Sequence, residues 1–175
     1  MSNPVSQDEA AICAHFASYS RAWRANDVAA LLGHWAEPEF RFYKAEEAER
    51  FFTRFADVAA YFRGNAELIE IMDVEFAVNE LIPCSAGMVF AIAQLQWNIR
   101  FARDARLPDG SPYAHRGKAM GGDNHVLALL THMPAGWRFA GWSETPDAPL
   151  SYISRLYRKN VRPGSPAAVT ADGAP

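Results

Sequence analysis

The stretch that decides the fold is His125–Pro146, HVLALLTHMPAGWRFAGWSETP, in which two apolar runs flank Met-Pro-Ala-Gly. This pattern predicts a β-hairpin with a four-residue loop, because short alternating runs around a turn sequence are typical of paired strands. If His132 pairs with Trp137 across that loop, counting along both strands brings His125 opposite Glu144. The hairpin therefore predicts a His125–Glu144 pair at its open end.

The same register decides which side chains share a face of the sheet. Side chains alternate along a strand, so Trp142 and Glu144 are expected on the face that carries His125 and Leu127. A slip of one residue would put His125 and Glu144 on opposite faces. A histidine backed by a carboxylate can serve as a general base, because the carboxylate stabilises the imidazolium and fixes its tautomer. The hairpin is therefore the first candidate for a functional site.

Composition limits the class of protein. A chain of 175 residues that is 50% hydrophobic suits one domain with a substantial core. A net charge of −3 gives no reason to expect binding to nucleic acid or to an anionic membrane. The two cysteines, Cys13 and Cys84, match no metal-ligand spacing and are interpreted as reduced thiols. Neither a signal peptide nor a membrane span is expected, and the predicted location is cytoplasmic.

The first part of the chain reads as helical. Residues 1–5 are predicted to be a loose tail, and Ser6-Gln7-Asp8-Glu9 fits a capping box. A helix is expected from about 7 to 25, a second over 28–35 and a third over 58–65, with Tyr61 on the inner face of the third. A strand is expected at 40–43. The segment 44–54 is ambiguous between helix and a short return strand.

The rest of the domain, which is expected to span 6–160, reads mainly as long strands over 68–82, 88–101 and 119–131, followed by the hairpin. A loop over 103–118 joins two of them. A final helix is expected over 149–159, and the tail 161–175 is predicted to be disordered. Helices followed by antiparallel strands predict an α+β fold with the helices packed on one face of a curved sheet.

Two groups of residues resemble a known family. TyrSerArgAlaTrp at 19–23 with AsnAsp at 26–27, and the closing GlyTrpArgPheAlaGlyTrpSerGluThrPro at 136–146, are similar to the nuclear transport factor 2-like superfamily. This superfamily includes ketosteroid isomerases and SnoaL-like polyketide cyclases, and the resemblance covers about residues 8–146. It implies a cystatin-like cone, in which a curved antiparallel or mixed β-sheet carries three N-terminal helices on its concave face.

The resemblance also suggests roles for single residues. Tyr19 matches the tyrosine with which ketosteroid isomerases donate a hydrogen bond to the substrate oxygen. The catalytic aspartate of those isomerases falls at Tyr43, which argues against steroid isomerisation, because tyrosine has an ordinary pKa of about 10. Trp142 and Glu144 match cavity-lining positions. The superfamily often pairs through its sheets, so a homodimer is expected through the polar face of Gln94, Gln96, Asn98 and Arg100.

Together these inferences predict one site. Its catalytic candidates are His125, Glu144, Tyr19 and Tyr43. Its ligand-binding candidates are Trp23, Arg41, Tyr61, Trp97 and Trp142. Trp97 is expected opposite His125 if the loop 103–118 closes symmetrically. No cofactor and no metal are predicted.

Several of these residues have a structural alternative. His125 could be a polar strand end near solvent, and Glu144 could lie at the sheet rim. Tyr19 and Trp23 belong to the apolar stripe of the first helix, where core packing is the commoner role. Three acidic residues after the first strand are interpreted as a solvated charged face: Glu46, Glu47 and Glu49.

Two functions stay open. One is a cofactor-independent isomerase, dehydratase or cyclase that acts on a small apolar ligand bearing a carbonyl group. The other is a noncatalytic ligand-binding or dimerisation module. A closed cavity that contains both His125 and Glu144 would favour the enzyme. A cavity that is filled by Trp97, Trp142 and Tyr19 would favour the noncatalytic module.

Overall fold

The structure, a computed structural model, describes residues 4–149 and the single positions 151, 153, 154, 157, 160, 162 and 165. Its helices and first strand are α1 (Pro4–Arg24), α2 (Val28–Gly33), a 3₁₀ turn (Glu37–Glu39), β1 (Phe42–Lys44) and α3 (Phe55–Leu68). Its long strands are β2 (Ile69–Ser85), β3 (Met88–Phe101), β4 (Ala119–Met133) and β5 (Gly136–Pro146).

The five strands form one open, mixed sheet in the order β1-β5-β4-β3-β2. Only β1 runs parallel to its neighbour, and the other pairs are antiparallel. The β2–β3 pairing shifts register at three points and the β4–β5 pairing at one. Bulges of this kind increase strand twist and bend a sheet. The predicted α+β architecture, with three helices on a curved mixed sheet, is confirmed.

The apolar stripe of α1 anchors the helix to the sheet. Ile12, Phe16 and Tyr19 are at most 1% exposed. The ring centroid of Phe16 lies 5.1 Å from that of Phe139, and the ring of Tyr19 lies 5.8 Å from that of Trp142. Burying each such side chain contributes on the order of 2 kcal/mol. The spacing of the stripe in the sequence therefore predicts both the helix and its orientation.

The β4–β5 hairpin contains one residue more than a regular ladder allows. His132 pairs with Trp137 as predicted, although the strands end at Met133 and Gly136 and leave a two-residue connection in place of the expected four. Ala140 is then the extra residue, since Leu130 pairs with Phe139 and Leu129 with Gly141.

This bulge changes the pairing beyond it by one residue. His125 lies opposite Thr145, and Glu144 lies opposite Val126. The predicted His125–Glu144 pair is therefore wrong, because one inserted residue exchanges the two faces of a strand. The carbonyl oxygen of Ala140 accepts a hydrogen bond from the backbone N–H of Arg41 at 2.7 Å, so the bulge is tied to the segment that leads into β1.

Several predicted boundaries also differ. α1 begins at Pro4, before the expected capping residues, and α3 spans Phe55–Leu68, which extends the predicted 58–65 at both ends. The ambiguous segment 44–54 touches the sheet through Phe52, which exchanges backbone hydrogen bonds of 2.9 and 2.8 Å with Tyr43. Trp97 pairs with Gly122 and not with His125, because the connection between β3 and β4 is not symmetric about the predicted centre.

The ends of the chain lie largely outside the described residues. Within the predicted helix 149–159, the described positions 151, 153, 154 and 157 are helical. Residues 1–3 and most of 161–175 are not described, so the predictions of loose tails there stay predictions. In the described part of the chain, no helix is both long and apolar enough to cross a bilayer.

Candidate acid–base cavity

A cavity of about 360 Å³ lies between the helices and the inner face of the sheet. Most of its wall is apolar, and its polar groups are few. This size and composition match small-molecule sites, which are typically concave, mostly apolar and about 300–1,000 Å³ in volume. The cavity is therefore the natural place to look for function.

Glu144 is the central polar group of the cavity. The Ala140 bulge turns its side chain to the inner face, where Trp142 Nε1 donates to Oε1 at 2.6 Å and Asn124 Nδ2 donates to Oε2 at 3.1 Å. Burial raises the pKa of Glu144 to about 7, against the two hydrogen bonds, which favour the ionised form. A carboxyl group that titrates near neutrality can both accept and donate a proton.

Asn124 links Glu144 to the opposite wall of the cavity. It is only 2% exposed, and its Oδ1 accepts a hydrogen bond from Trp97 Nε1 at 3.4 Å. The indole of Trp97 lies over Gly122, where a Cβ would stand 3.3 Å from the ring. Asn124 therefore holds Glu144 and Trp97 in a fixed relation, and the absence of a side chain at Gly122 makes room for that indole.

Two buried tyrosines supply hydroxyl groups. Tyr19 is 1% exposed and Tyr43 is 3% exposed. Burial raises the pKa of both phenols, and the charge on Glu144 adds to this effect, so both stay protonated at neutral pH. Among the described residues, none forms a hydrogen bond with the Tyr43 hydroxyl. The two phenols are therefore neutral donors that line the cavity beside Glu144.

Two further carboxylates belong to the cavity wall. The hydroxyl of Tyr61 donates a hydrogen bond to Glu47, and Glu46 lies beside it. Burial raises the pKa of Glu46, the charge on Glu47 adds to the rise, and Asn124 opposes it. Glu46 is half-buried in this wall, which contradicts its interpretation as a solvated residue. Glu47 and Glu49 are both exposed as expected, and Glu47 reaches the cavity through its contact with Tyr61. Among the described residues, no three His, Cys, Asp or Glu side chains are grouped to hold a metal ion.

Seven of the nine residues in the predicted site line the cavity: Tyr19, Trp23, Tyr43, Tyr61, Trp97, Trp142 and Glu144. Arg41 and His125 do not. Arg41 is exposed and forms an ion pair with Glu39 at 2.6 Å. His125 lies on the outer face of the sheet, and its Nε2 is 3.8 Å from a carboxylate oxygen of Asp147.

The sequence-based site omitted six polar residues that line the cavity: Glu46, Glu47, Asn65, Tyr113, His115 and Asn124. Asn124 is the neighbour in sequence of His125, which the predicted site contains, and the bulge at Ala140 exchanges the faces that the two side chains are expected to occupy. Glu46 and Glu47 follow β1, whose parallel pairing with β5 has no local sequence signal. His115, together with Tyr113, reaches the wall from the loop between β3 and β4, where the ring of Tyr113 lies 4.9 Å from that of Phe101.

No protein-family model matches the chain, and no curated protein matches it in sequence. Solved structures do match. A ketosteroid isomerase-like protein from Erwinia carotovora is similar over 80% of this chain and 96% of its own, with a TM-score of 0.61 and 16% identity. A nuclear transport factor 2-like superfamily protein from Salmonella enterica covers 83% and 95%, with a TM-score of 0.66 and 10% identity.

A protein from Streptomyces avermitilis, proposed to be a dehydratase of the nuclear transport factor 2-like family, is similar over 82% of this chain and 99% of its own. Its TM-score is 0.67 at 9% identity. At such identities the comparison shows the fold alone. It confirms the cystatin-like, nuclear transport factor 2-like fold that the sequence resemblance implies.

Proposed function

Because this chain has the nuclear transport factor 2-like fold around a cavity with a neutral-titrating carboxyl group, we propose that it is a cofactor-independent isomerase, dehydratase or cyclase. Its substrate is a small, largely apolar molecule with a carbonyl group. The observation that carries this proposal is Glu144, which has a pKa of about 7 inside an aromatic cavity. Enzymes that abstract protons place a base of this kind near the working pH.

In the proposed reaction, the ionised Glu144 removes a proton from the carbon next to the carbonyl group. The electrons of the broken C–H bond form an enolate, and its negative charge develops on the carbonyl oxygen. A hydroxyl group of Tyr19 or Tyr43 donates a hydrogen bond to that oxygen, and such donors stabilise developing charge strongly in a water-poor site. Trp142 and Asn124 position the base.

The proton now carried by Glu144 decides the product. If Glu144 returns it to a different carbon of the enolate, the product is an isomer. If Glu144 gives it to a hydroxyl group at the β-carbon, that group leaves as water and a conjugated double bond forms. Both outcomes balance without an oxidant or a further reactant. A group with a pKa of about 7 suits both steps, since about half of it is ionised at neutral pH.

The test is solvent deuterium exchange, which detects proton abstraction without knowledge of the natural substrate. 2-Tetralone is incubated with the protein in D₂O. NMR then follows the loss of the signal from the protons on the carbon next to its carbonyl group. Wild type should accelerate exchange, and Glu144→Gln should slow it by about 100-fold or more. Glu49→Gln, which removes a charge from an exposed position nearby, should behave as wild type.

The proposal would be contradicted if wild type accelerated exchange in neither 2-tetralone nor 1-indanone. Equal exchange by Glu144→Gln would contradict the role of Glu144. Thermal unfolding of each variant shows whether a lost rate reflects a lost fold.

The noncatalytic candidate is favoured by the outer face of the sheet. Leu127 is 42% exposed and Ile71 is 46% exposed on this face, which also carries Gln94 and Gln96. We propose that a second copy of the chain covers it, because non-obligate interfaces mix apolar and polar groups as this face does. Light scattering should give twice the chain mass, and Leu127→Glu should give the monomer; a monomeric wild type would contradict pairing.

The state of the two cysteines is relevant to the cellular compartment in which the protein resides. Cys13 and Cys84 are both free and exposed. Exposed free thiols persist best in a reducing compartment. This supports the cytoplasmic setting that we propose.

A further inference from the structure

The charged groups of the cavity wall are of one sign. Glu46, Glu47 and Glu144 contribute carboxylates, while no lysine or arginine of the described residues lines the cavity. None of the three forms an ion pair with a described residue. Lys44 is adjacent in sequence, but its ammonium group bonds to the backbone carbonyl oxygens of Ala45 and Glu46, at 2.8 and 3.5 Å. Among the described residues, no lysine or arginine therefore neutralises these carboxylates.

The remaining imidazole of the wall does not change this balance. His115 comes from the loop between β3 and β4, and its ring lies against Phe101 and Tyr113 at centroid distances of 6.3 and 5.6 Å. The carboxylates thus outnumber any positive charge that the described wall can supply.

The apolar part of the wall is mostly aromatic. Besides the imidazole of His115, nine aromatic side chains line the cavity: Tyr19, Trp23, Tyr43, Tyr61, Phe76, Trp97, Phe101, Tyr113 and Trp142. Several are close together, with centroids 5.6 Å apart for Tyr43 and Tyr61 and 5.9 Å apart for Tyr19 and Trp23. The face of an aromatic ring carries negative potential and attracts a cation within about 6 Å of its centroid. Rings and carboxylates therefore favour the same kind of ligand.

The wall also offers a ligand one hydroxyl group that has no partner among the described residues. The Tyr43 side chain is 3% exposed and lines the cavity, and no described residue forms a hydrogen bond with its hydroxyl group. The hydroxyl group opens onto the cavity. A ligand there can accept a hydrogen bond from it or donate one to it.

We propose that the ligand carries a protonated amine or quaternary ammonium group, held between the Glu46 and Glu47 carboxylates and the surrounding aromatic rings. This inference rests on the proposed function, and it adds a charge requirement to the substrate class. The apolar, carbonyl-bearing part of the ligand then extends toward Glu144.

A cationic ligand would also act on the base. A positive charge near a carboxyl group favours its ionised form. Glu144 would therefore be more fully ionised in the complex than in the free protein, and binding would prepare it to remove a proton. A neutral ligand of the same shape would lack this effect.

The experiment compares two compounds of the same shape that differ in charge. Phenyltrimethylammonium and tert-butylbenzene are titrated separately into the full chain, with tryptophan fluorescence as the readout, since Trp23, Trp97 and Trp142 line the cavity. The ammonium compound should bind about tenfold more tightly. The double variant Glu46→Gln/Glu47→Gln should lose this preference and keep the affinity for tert-butylbenzene.

Glu49→Gln is the matched control, because it removes the same charge from an exposed residue of the same segment. It should keep the tenfold preference. If the double variant does not fold, as judged by thermal unfolding, Glu47→Gln alone should reduce the preference by about threefold. Added salt should weaken binding of the ammonium compound and leave tert-butylbenzene unaffected.

Equal or tighter binding of tert-butylbenzene overturns the inference, and so does an equal loss in Glu49→Gln. Such a result leaves the acid–base function standing if wild type still exchanges protons in 2-tetralone and Glu144→Gln does not. If neither compound binds and no exchange occurs, both proposals fail.

Discussion

The carboxamide of Asn124 donates a hydrogen bond to Oε2 of Glu144 across 3.1 Å. This contact takes the place that an alternating pattern gives to His125, and it exists because Ala140 is an extra residue in β5. The catalytic candidate therefore keeps its identity and changes its partner. An amide cannot relay a proton as imidazole does, so Glu144 itself must be the titrating group.

Loss of the Asn124 contact should raise the pKa of Glu144 above its value of about 7, because the hydrogen bond favours the ionised carboxylate. A contact worth about 1 kcal/mol corresponds to a rise of about 0.7 units in Asn124→Leu. A pH titration of the ¹³C carboxyl signals by NMR measures it directly. Asn98→Ala, on the exposed outer face, should leave the value unchanged. An unchanged or lower pKa in Asn124→Leu would rule out the bond as a determinant.

Glu144 should also lower the stability of the folded protein as pH rises. Its pKa in the folded state, about 7, exceeds its ordinary value of 4.5, so the folded chain binds more protons between these two pH values. Stability from this group is present below pH 4.5 and lost as pH rises through 7. The free energy of unfolding of Glu144→Gln minus that of wild type should therefore be larger at pH 8 than at pH 5, by about 1–3 kcal/mol. Urea unfolding at both pH values measures the difference.

His15 and His34 should have the opposite effect at acid pH. Their Nδ1 atoms lie 3.4 Å apart between α1 and the segment after α2, and the ring of His15 packs 4.6 Å from Phe139. Burial lowers the pKa of His15 to about 3 and that of His34 to about 4, and the charge of Arg138 acts in the same direction on both. The unfolded chain therefore binds more protons below pH 6.5, and stability should fall as pH decreases from there toward 4.

Urea unfolding at pH 7.5 and pH 5 tests this effect. Over that interval each histidine should contribute a loss of about 1–3 kcal/mol, and the proton taken up by Glu144 contributes a gain that opposes it. In His15→Leu one of the two contributions disappears, so the variant should lose less. His125→Gln, on the exposed outer face, should lose as much as wild type. A pH dependence that is unchanged in His15→Leu would show that this pair is not its source.

The sequence predicts the fold better than it predicts the site. The stripe through Ile12, Phe16 and Tyr19 and the His132–Trp137 pair are local patterns, and both are present in the structure. The partner of Glu144 depends on strand parity, and one bulged residue reverses parity. Ala140 is buried whether it pairs with β4 or bulges out of the β4–β5 ladder, so a hydrophobic pattern does not distinguish the two arrangements. Sequence alternation can therefore name a catalytic residue and still misplace its neighbour.

Carboxylates that come together through tertiary pairing are harder still to foresee. Glu46 and Glu47 reach the cavity because β1 pairs in parallel with β5, and Glu47 there meets Tyr61 of α3. These residues are charged and follow a strand, as solvated turn residues commonly do. Glu47 is as exposed as Glu49, and only the three-dimensional arrangement shows that Glu46 and Glu47 line the cavity while Glu49 does not.

Replacement of His125 should leave the site intact. Its side chain is 57% exposed on the outer face and pairs with Thr145, away from the cavity. We expect His125→Ala to bind phenyltrimethylammonium and to exchange protons in 2-tetralone within about twofold of wild type. If a folded His125→Ala variant lost both binding and exchange, His125 would belong to the site, and the described register would be contradicted.

Gly141 should be needed for the contact that brings β1 to the cavity. It pairs with Phe42 in the parallel β1–β5 ladder, and a Cβ at this position would stand 2.6 Å from Cε1 of the Phe42 ring. Since Tyr43 is the next residue and pairs with Trp142, displacement of Phe42 would also move the Tyr43 hydroxyl group. Gly141→Ala should therefore destabilise the protein by about 1–3 kcal/mol and weaken ligand binding.

Gly64→Ala is the control, because nothing lies within 4 Å of its Cβ and alanine favours the α3 helix, so stability should rise by up to about 1 kcal/mol. Urea unfolding and fluorescence titration measure both effects, and a Gly141→Ala protein as stable as wild type would mean that Phe42 moves aside without cost.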